Sequence, residues 1–288
     1  MLIADKKMWQ QLMCLIVSCN YNNKLHILSD RLDDVHVTTV LNPPFVALKP
    51  NSEKMIGNDK YEGFVPDMLK KLTQILGVNF SINLVKDGKY GKCNHGNCTG
   101  MIGEVKRGKA DLAIADITIS PLRVLNVDFS QPFMTGGITT LVKNPEPNIR
   151  TVEDLIANGY RFLSYCCGST ERFFRTSKVS LHERIANNLV KVDSNSEGVD
   201  RVLNSDEKLA MLIEESSAKW HASQDCSLKV VGESMNSVGY GIGMAKGIAV
   251  KTAEGVFEVR TLIDHAILQM KYDSTLELLE SKWWPKKC

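Results

Sequence analysis

Residues 110–133 constrain the chain most strongly, because this stretch joins a short apolar strand to a group of polar side chains. Residues 112–114 are apolar and lie between charged and polar residues, which is typical of a buried strand. Asp116 and Thr118 follow at alternate positions, and Arg123 comes just beyond them. Because an extended segment places alternate side chains on the same side, a carboxylate, a hydroxyl and a guanidinium are expected to lie close together.

Two interpretations of this cluster are open from spacing alone. Arginine forks a carboxylate and an acid accepts from an ammonium, so Asp116, Thr118 and Arg123 could hold a small zwitterion. Charged residues also follow buried strands where no ligand binds. The same residues could therefore form a solvated loop with one salt bridge.

Composition excludes some function classes and favours two globular lobes. A chain of 288 residues is too long for one small core. Its 43% hydrophobic and 24% charged residues are ordinary for a globular protein. The net charge of +2, without a basic stripe interleaved with aromatic residues, argues against a nucleic-acid partner. No apolar run reaches the roughly 18 to 20 residues of a membrane helix, so we expect no membrane segment.

The eight cysteines favour an oxidising compartment, because their number is high and even. Cys93 and Cys98 flank a short polar loop and are close enough for a local disulfide. Their spacing with His95 could also indicate zinc, but no second ligand pair follows, so we expect neither a metal nor a cofactor. Cys166 and Cys167 are adjacent, which would strain a bridge between them and favours buried thiols.

The stretch at 110–133 resembles the carboxylate-clamping segment of the ionotropic glutamate receptor ligand-binding domain. The resemblance covers roughly residues 35–288, with several motifs in the order and spacing of the family. Independent motifs in one register are far more specific than any one of them. They are YEGF at 61–64, DGKYGK at 87–92, ADITISPLR at 115–123, VDFSQPF at 127–133, GSTERFF at 168–174, SEGV at 196–199, GYGI at 239–242 and KWW at 282–284.

The resemblance implies a bilobed, periplasmic-binding-protein-like clamshell of two α/β lobes joined by a two-strand hinge. Helices that alternate with short strands favour the same α/β class. We expect the first lobe to comprise residues 31–130 with 241–288, and the second lobe residues 131–240. Residues 1–30 are expected to form a leader, either a poor signal peptide or a disordered or amphipathic segment.

Receptors of this family carry three membrane segments between the two halves of the domain. Here only NPEPNIR separates Lys143 from Thr151. The chain is therefore either a domain whose channel is replaced by a short joint, or a naturally soluble relative. In both cases we expect it to be extracellular or secreted, with a possible homodimer through the first lobe.

The resemblance implies a contact for each part of an α-amino acid. Arg123 is expected to fork the α-carboxylate, while Asp116, Thr118 and Glu214 bind the ammonium. A helix that opens at 168–170 would offer N–H groups to the distal carboxylate of glutamate, although its serine also fits a simple N-cap. The expected ligand contacts are Phe45, Asp116, Thr118, Arg123, Ser169, Thr170, Glu214 and Tyr240.

Further positions follow from the same resemblance. Phe45 stands where the family places an aromatic lid, although a core aromatic is the alternative. Glu62 and Asn195 match a pair that bridges the closed lobes. Cys226 and Cys288 match the disulfide that ties the chain end to the second lobe.

The sequence therefore predicts a binding module that clamps an α-amino acid, with L-glutamate as the first candidate. In a full receptor, closure of the lobes would gate a cation channel. The alternative is a soluble solute-binding protein for glycine, alanine or serine, which would bind nearly as well if the helix start at 168–170 met water or an inorganic anion instead of a distal carboxylate. An enzyme is not expected, since the spacing of Cys166 or Cys167 to His182 specifies no catalytic geometry.

Overall fold

The structure is a computed structural model, and most of the expected leader lies outside the part of the chain that it describes. Cys167, Gly168 and Cys288 also lie outside that part. The described residues are 26–28, 34–94, 96–166, 169–252 and 255–285.

Helices and short strands alternate along the described chain, as the sequence predicts. The helices are α1 (Phe64–Leu76), α2 (Gly100–Lys106), α3 (Pro121–Val124), α4 (Val152–Ala157), α5 (Ser169–Thr176), α6 (Ser180–Asn187), α7 (Asn195–Asn204), α8 (Glu215–Gln224), α9 (Val259–Tyr272) and α10 (Thr275–Trp283), with 3-10 turns at Ser52–Lys54 and Gly57–Lys60. The strands are β1 (His26–Leu28), β2 (Val35–Thr39), β3 (Ala47–Leu48), β4 (Tyr61–Glu62), β5 (Phe80–Leu84), β6 (Cys93–Asn94), β7 (Asn97–Cys98), β8 (Leu112–Ala113), β9 (Asp128–Phe129), β10 (Met134–Gly136), β11 (Ile138–Lys143), β12 (Arg161–Tyr165), β13 (Leu189–Val192), β14 (Leu209–Glu214), β15 (Leu228–Val231), β16 (Val238–Tyr240), β17 (Gly243–Met244), β18 (Ile248–Thr252) and β19 (Gly255–Glu258).

The first lobe is built on a five-stranded mixed sheet with the order β5-β2-β8-β17-β9. Strand β2 runs parallel to β5 and β8, whereas β17 is antiparallel to β8 and β9. Apolar residues of α1, α9 and α10 form one core with this sheet, and those of α2 form a second core. The sheet is thus covered by helices on both faces, as expected for an α/β lobe.

The second lobe is built on another five-stranded mixed sheet, with the order β13-β12-β14-β11-β15. Strand β12 is parallel to β13 and β14, and β11 is antiparallel to β14 and β15. Two cores flank this sheet, one with residues of α4 to α6 and one with residues of α7 and α8. Together the two sheets give the predicted bilobed α/β fold.

Strands β10 and β16 form the hinge as an antiparallel pair between the two sheets. The hydroxyl of Tyr240 passes so close to Gly136 that a Cβ there would lie 2.5 Å from it. Strand β11 lies inside the sheet of the second lobe, so the chain crosses between the lobes before it, at β10. The exact bounds of the two lobes stay a prediction. The residues that build each of the two sheets fall within those bounds.

Helix α1 shows how local sequence fixes an element of the first lobe. Phe64, Met68 and Leu72 recur at helical spacing and are fully buried. Gly77 ends the helix with φ of 71°, a left-handed conformation that glycine adopts without steric cost. The predicted helix at 63–76 and its glycine cap are confirmed.

The sequence predicts a helix at 253–270, but the structure begins α9 only at Val259. Before it, β19 pairs antiparallel with β18, with Val256 opposite Lys251 and Phe257 opposite Val250. β-branched and aromatic residues favour strands when a partner is available, and this pairing overrides the helical spacing. Strand β1 pairs with the other edge of β18, so residues 26–28 of the expected leader belong to this small sheet.

The disulfide between Cys93 and Cys98 is present, as the sequence predicts. The two cysteines are opposite partners in the β6–β7 hairpin, so the bridge closes this loop. Cys226 is also disulfide-bonded. Its expected partner, Cys288, lies outside the described residues, so that pairing stays a prediction.

Candidate functional site

A buried cavity of about 40 Å³ lies between the two lobes and contains most of the residues that the sequence singles out. Its walls come from the carboxyl ends of β8, β12 and β14 and from the start of α5. This position agrees with the rule that α/β sheets bind ligands beyond the carboxyl ends of their strands. The described lining residues are Tyr90, Asp116, Thr118, Arg123, Tyr165, Ser169, Thr170, Asn195, Leu212, Ile213 and Glu214.

Arg123 is 6% exposed and its guanidinium is held by the backbone of the first lobe. Its Nη1 donates to the carbonyl of Thr118 at 2.8 Å, and its Nε and Nη2 both donate to the carbonyl of Gly91 at 3.3 Å. A guanidinium has five N–H groups, so these bonds leave one N–H on each Nη atom. Such a pair matches the two oxygens of a carboxylate.

Burial lowers the pKa of Arg123, while nearby Tyr90, Glu214 and Asp116 raise it. An arginine side chain stays protonated in proteins, so the cavity contains a fixed positive charge. A buried cation is costly unless anions lie close to it. Here the buried carboxyl of Asp116 and the half-buried carboxyl of Glu214, which both line the cavity, provide that compensation.

Asp116 belongs to a closed network in the first lobe. It is 4% exposed, and its Oδ1 accepts from the hydroxyl of Tyr90 at 2.7 Å. Its Oδ2 accepts from Nδ2 of Asn42 at 2.9 Å, and the same Nδ2 lies 3.0 Å from the hydroxyl oxygen of Tyr90. Burial raises the pKa of Asp116, and these two donors oppose that shift by stabilising the ionised form.

Glu214 ends strand β14 and forms the second-lobe wall of the cavity. Its Oε2 accepts from the hydroxyl of Tyr240 at 2.9 Å. Burial raises the pKa of Glu214 from 4.5 to about 7; the charge of Asp116 also raises it, while Tyr240 and Arg123 lower it. A group that binds an ammonium would restore the ionised form, because a nearby cation favours the carboxylate.

The N-terminus of α5 brings Ser169 and Thr170 to the cavity. The first N–H groups of a helix have no partner within it, and the helix dipole makes this end favourable for an anion. The hydroxyl oxygen of Ser169 lies 3.3 Å from that of Thr118 in the first lobe. The second lobe therefore contacts the first directly across the cavity.

Three of the predicted positions are not brought to the cavity wall. Phe45 is fully buried in the first-lobe core, where its ring lies 6.1 Å from Phe64 and 5.1 Å from Trp284. Phe45 therefore packs as a core aromatic, the alternative that the sequence left open, and its role as a lid stays a prediction. Tyr240 is also fully buried and acts through Glu214, and Glu62 lies in β4, away from the cavity.

Like Tyr165, Tyr90 is an aromatic residue that lines the cavity, and sequence reasoning missed it. The sequence does indicate Tyr90, because this residue stands in the DGKYGK motif that carries the resemblance. Burial raises the pKa of Tyr90 well above its ordinary value, and the charge of Asp116 raises it further. Its hydroxyl thus keeps its proton and remains a donor. Asn195, from the expected bridging pair, also lines the cavity.

A larger space of about 520 Å³ lies beside the hinge. It is lined in part by β10 and by Trp284, and it contains no predicted ligand contact. The smaller cavity has the convergent charged and polar groups that ligand sites require, so it is the candidate site.

The described residues include no helix that is long and apolar enough to cross a membrane. The family described as the ligated ion channel L-glutamate- and glycine-binding site matches residues 33–146. Among named proteins, the chain is 29% identical to the glutamate receptor ionotropic, kainate 4 of Homo sapiens, over 86% of this chain and 38% of the receptor. It is 27% identical to kainate 5 of Rattus norvegicus, over 86% of this chain and 37% of that receptor.

The chain thus spans well under half of the length of these curated relatives. The alignment to kainate 4 extends over 376 positions, more than the 288 residues of this chain, so the relative has inserted residues within the matched region. The alignment to kainate 4 covers 86% of this chain, and the family match at 33–146 includes Asp116, Thr118 and Arg123, which follow strand β8. Over most of its length the chain is therefore similar to ionotropic glutamate receptors, and its residues 33–146 match the L-glutamate- and glycine-binding site of ligated ion channels.

Proposed function

We propose that this domain closes its two lobes on an α-amino acid. The observation that carries the proposal is the buried guanidinium of Arg123, which keeps one N–H on each Nη atom after its backbone bonds. A carboxylate that accepts from both would be held in a planar fork. The half-buried carboxyl of Glu214 lines the same cavity and suits an ammonium.

In this arrangement the head of the amino acid binds between the lobes. Arg123 and Thr118 belong to the first lobe, while Ser169, Thr170 and Glu214 belong to the second. Contacts that form only when the lobes meet shift the population toward the closed state. The expected bridge between Glu62 and Asn195 remains part of this proposal.

L-glutamate is the first candidate ligand. Its distal carboxylate would accept from the N–H groups at the start of α5, near Ser169 and Thr170. The relatives are named glutamate receptors, which supports the same choice.

A small neutral amino acid such as glycine, alanine or serine is the second candidate. The matching family is described by both L-glutamate and glycine, so both classes fit its description.

The receptor context is also part of the proposal. In a full receptor of this family, closure of the lobes would pull on a cation channel. A homodimer through the first lobe is supported by an exposed apolar surface on α9 and α10. Leu268 is 57%, Tyr272 93% and Leu278 69% exposed, and the first two lie one helical turn apart.

A thermal-shift screen of the twenty amino acids, followed by calorimetry, tests the proposed function. A ligand that binds only the folded domain raises its melting temperature. The variant Arg123→Lys should lose binding by about 2 to 5 kcal/mol, because lysine lacks the planar fork. The matched control Arg175→Lys changes an exposed arginine of α5 and should bind as the wild type does. Equal affinity of the wild type and Arg123→Lys would contradict the proposal.

A further inference from the structure

We propose that Asn97 is an N-glycosylation site and that its glycan covers the α2 face of the first lobe. This inference concerns a modification of the chain, and it does not rest on the proposed function. Asn97, Cys98 and Thr99 form an Asn-x-Thr triplet whose middle residue is not proline. Such a triplet is the acceptor of N-linked glycans in secreted proteins, where it lies at the surface.

The disulfides of this chain indicate the compartment that the modification needs. Cys93 is bonded to Cys98, and Cys226 is disulfide-bonded as well. Disulfides form and persist in the secretory route and outside the cell, and they are rare in the cytosol. N-linked glycans are attached in the same route, so the triplet at 97–99 is exposed to the enzymes that modify it.

The side chain of Asn97 faces away from the protein. Cys98 is 2% exposed and packs in the core beneath α2. Successive side chains of a strand point to opposite sides, and Asn97, its neighbour in β7, is exposed. A glycan on the amide nitrogen of Asn97 would therefore extend into solvent without displacing a core side chain.

The hairpin that contains Asn97 is held to the end of α2 on both sides of this residue. Nζ of Lys106 donates to the carbonyl of Gly96 at 2.5 Å, and Nη1 of Arg107 donates to the carbonyl of Cys98 at 2.7 Å. Both bonds go to backbone carbonyls. A modified Asn97 side chain thus leaves the attachment of the hairpin intact.

The position of the hairpin decides which surface the glycan covers. Leu112 and Ala113 are neighbours in β8, and they belong to the two different cores of the first lobe, so these cores lie on opposite faces of the sheet. Cys98 and α2 belong to one core, whereas α9 and α10 belong to the other. A bulky, solubilising glycan makes the α2 face unsuitable for a protein partner and leaves the apolar surface of α9 and α10 uncovered.

The modification forms one bond and breaks one. Nδ2 of Asn97 bonds to the anomeric carbon of an oligosaccharide that a lipid diphosphate carries. The bond from that carbon to the diphosphate oxygen breaks, and the lipid diphosphate leaves with one of the two protons of the amide nitrogen. No atom is oxidised or reduced, so the lipid-linked oligosaccharyl diphosphate is the co-reactant that the step requires.

Peptide mapping tests the assignment on the full chain, expressed in eukaryotic cells with an added signal peptide. The peptide that contains residue 97 should have the additional mass of a glycan, which a peptide N-glycosidase removes. Mapping also separates this peptide from the other triplet, at 79–81. Asn97→Gln should lose the modification. The matched control is Asn94→Gln, because Asn94 is the exposed partner of Asn97 across the hairpin and belongs to no triplet. It should keep the glycan.

Two variants of Thr99 separate the triplet from the fold of the hairpin. Thr99→Val keeps Asn97 but removes the hydroxyl that the triplet requires, so the glycan should be lost. Thr99→Ser retains a hydroxyl and should keep the glycan. A wild-type peptide without a glycan at residue 97 would overturn the inference, and so would a glycan that persists in Thr99→Val or disappears in Asn94→Gln.

Light scattering of the wild type and Asn97→Gln tests the face that the glycan covers. The two proteins should have the same oligomeric state, because the glycan and the surface of α9 and α10 lie on opposite faces of the sheet. If only Asn97→Gln associates, the α2 face is itself an interface, and the inference about the covered face is wrong.

Discussion

The hydroxyl oxygen of Thr118 lies 3.3 Å from the hydroxyl oxygen of Ser169, so the two lobes meet inside the candidate site. Thr118 lies in the first lobe beyond the end of β8, and Ser169 is the first residue of α5 in the second lobe. Both side chains also line the cavity. Closure and ligand contact thus involve the same two hydroxyl groups.

Ser169→Ala removes the second-lobe side of this contact. We expect the affinity for the bound amino acid to fall by about fivefold, which corresponds to one hydrogen bond of roughly 1 kcal/mol. Calorimetry with the best ligand of the screen measures this change. Ser180→Ala, an exposed serine at the start of α6, is the matched control and should leave the affinity unchanged. An unaltered affinity in Ser169→Ala would show that this hydroxyl has no part in closure on the ligand.

Glu214 should make the ligand-free domain less stable as the pH rises. Its pKa is about 7 in the folded state against an ordinary value of 4.5, so the folded domain binds the proton more tightly than the unfolded chain. The resulting stability is fully present below pH 4.5 and is lost as the pH rises through about 7. The loss amounts to about 3 kcal/mol. Urea unfolding of the wild type and Glu214→Gln from pH 5 to 8 measures it, and parallel pH profiles would contradict the expected value.

Ligand binding should show the opposite dependence on pH. An ammonium beside Glu214 favours its ionised form, so binding near pH 7 should release a proton. We expect the affinity to rise as the pH rises from 5 to 8. Calorimetry in two buffers with different ionisation enthalpies counts the released protons. No difference between the buffers at pH 7 would place the ammonium away from Glu214.

Trp284 should help to hold the lobes together beside the hinge. Its Nε1 donates to the carbonyl of Ser216 in α8 at 2.7 Å, so an indole packed on the first-lobe core binds the second lobe. Trp284→Phe should lower the free energy of unfolding by about 1 to 3 kcal/mol, because a part-buried carbonyl loses its donor. It should also increase the radius of gyration of the ligand-free domain in X-ray scattering.

Trp283→Phe is the matched control for this change. Trp283 donates to Asp67 at 3.0 Å, and both residues belong to the first lobe. The control should lose comparable stability but keep the wild-type scattering radius. If the two variants give the same radius, the Trp284 contact does not restrain the lobes.

The pairing of Cys226 with Cys288 can be tested directly. Cys226 is disulfide-bonded, and the resemblance implies Cys288 as its partner. A bridge over this distance would stabilise the domain by roughly 4 kcal/mol in the chain-entropy model. Peptide mapping without reductant should recover the two cysteines in one linked fragment, and Cys226 linked to another cysteine would refute the pairing.

Much of the fold and site follows from the sequence because short-range patterns determine it. Helix α1 was predictable from its buried stripe and from Gly77, and a capping box of Thr151 and Asp154 begins α4. The alternation of Asp116 and Thr118 after a buried strand correctly brought both to one cavity. In each case the physical cause lies within a few neighbouring residues.

Tertiary packing determines the features of the fold and site that local sequence does not predict. Phe45 and Tyr90 are both aromatic residues in loops of the first lobe, and local sequence does not show which ring faces the core. The side chain of Phe45 packs against Phe64 and Trp284, whereas Asp116 and Asn42 hold the hydroxyl of Tyr90 at the cavity. These partners are distant in sequence. Only the folded chain therefore shows that the ring of Phe45 packs in the core and that Tyr90 lines the cavity.

Strand β17 lies between β8 and β9 in the first-lobe sheet, although it follows the whole second lobe along the chain. During synthesis the ribosome delivers β8 and β9 long before Gly243 and Met244 emerge. The first-lobe sheet therefore has an open gap in its middle while the second lobe already has all its strands. The lobe that is translated first must be completed last, so a nascent chain that stalls before residue 243 exposes the edges of both flanking strands.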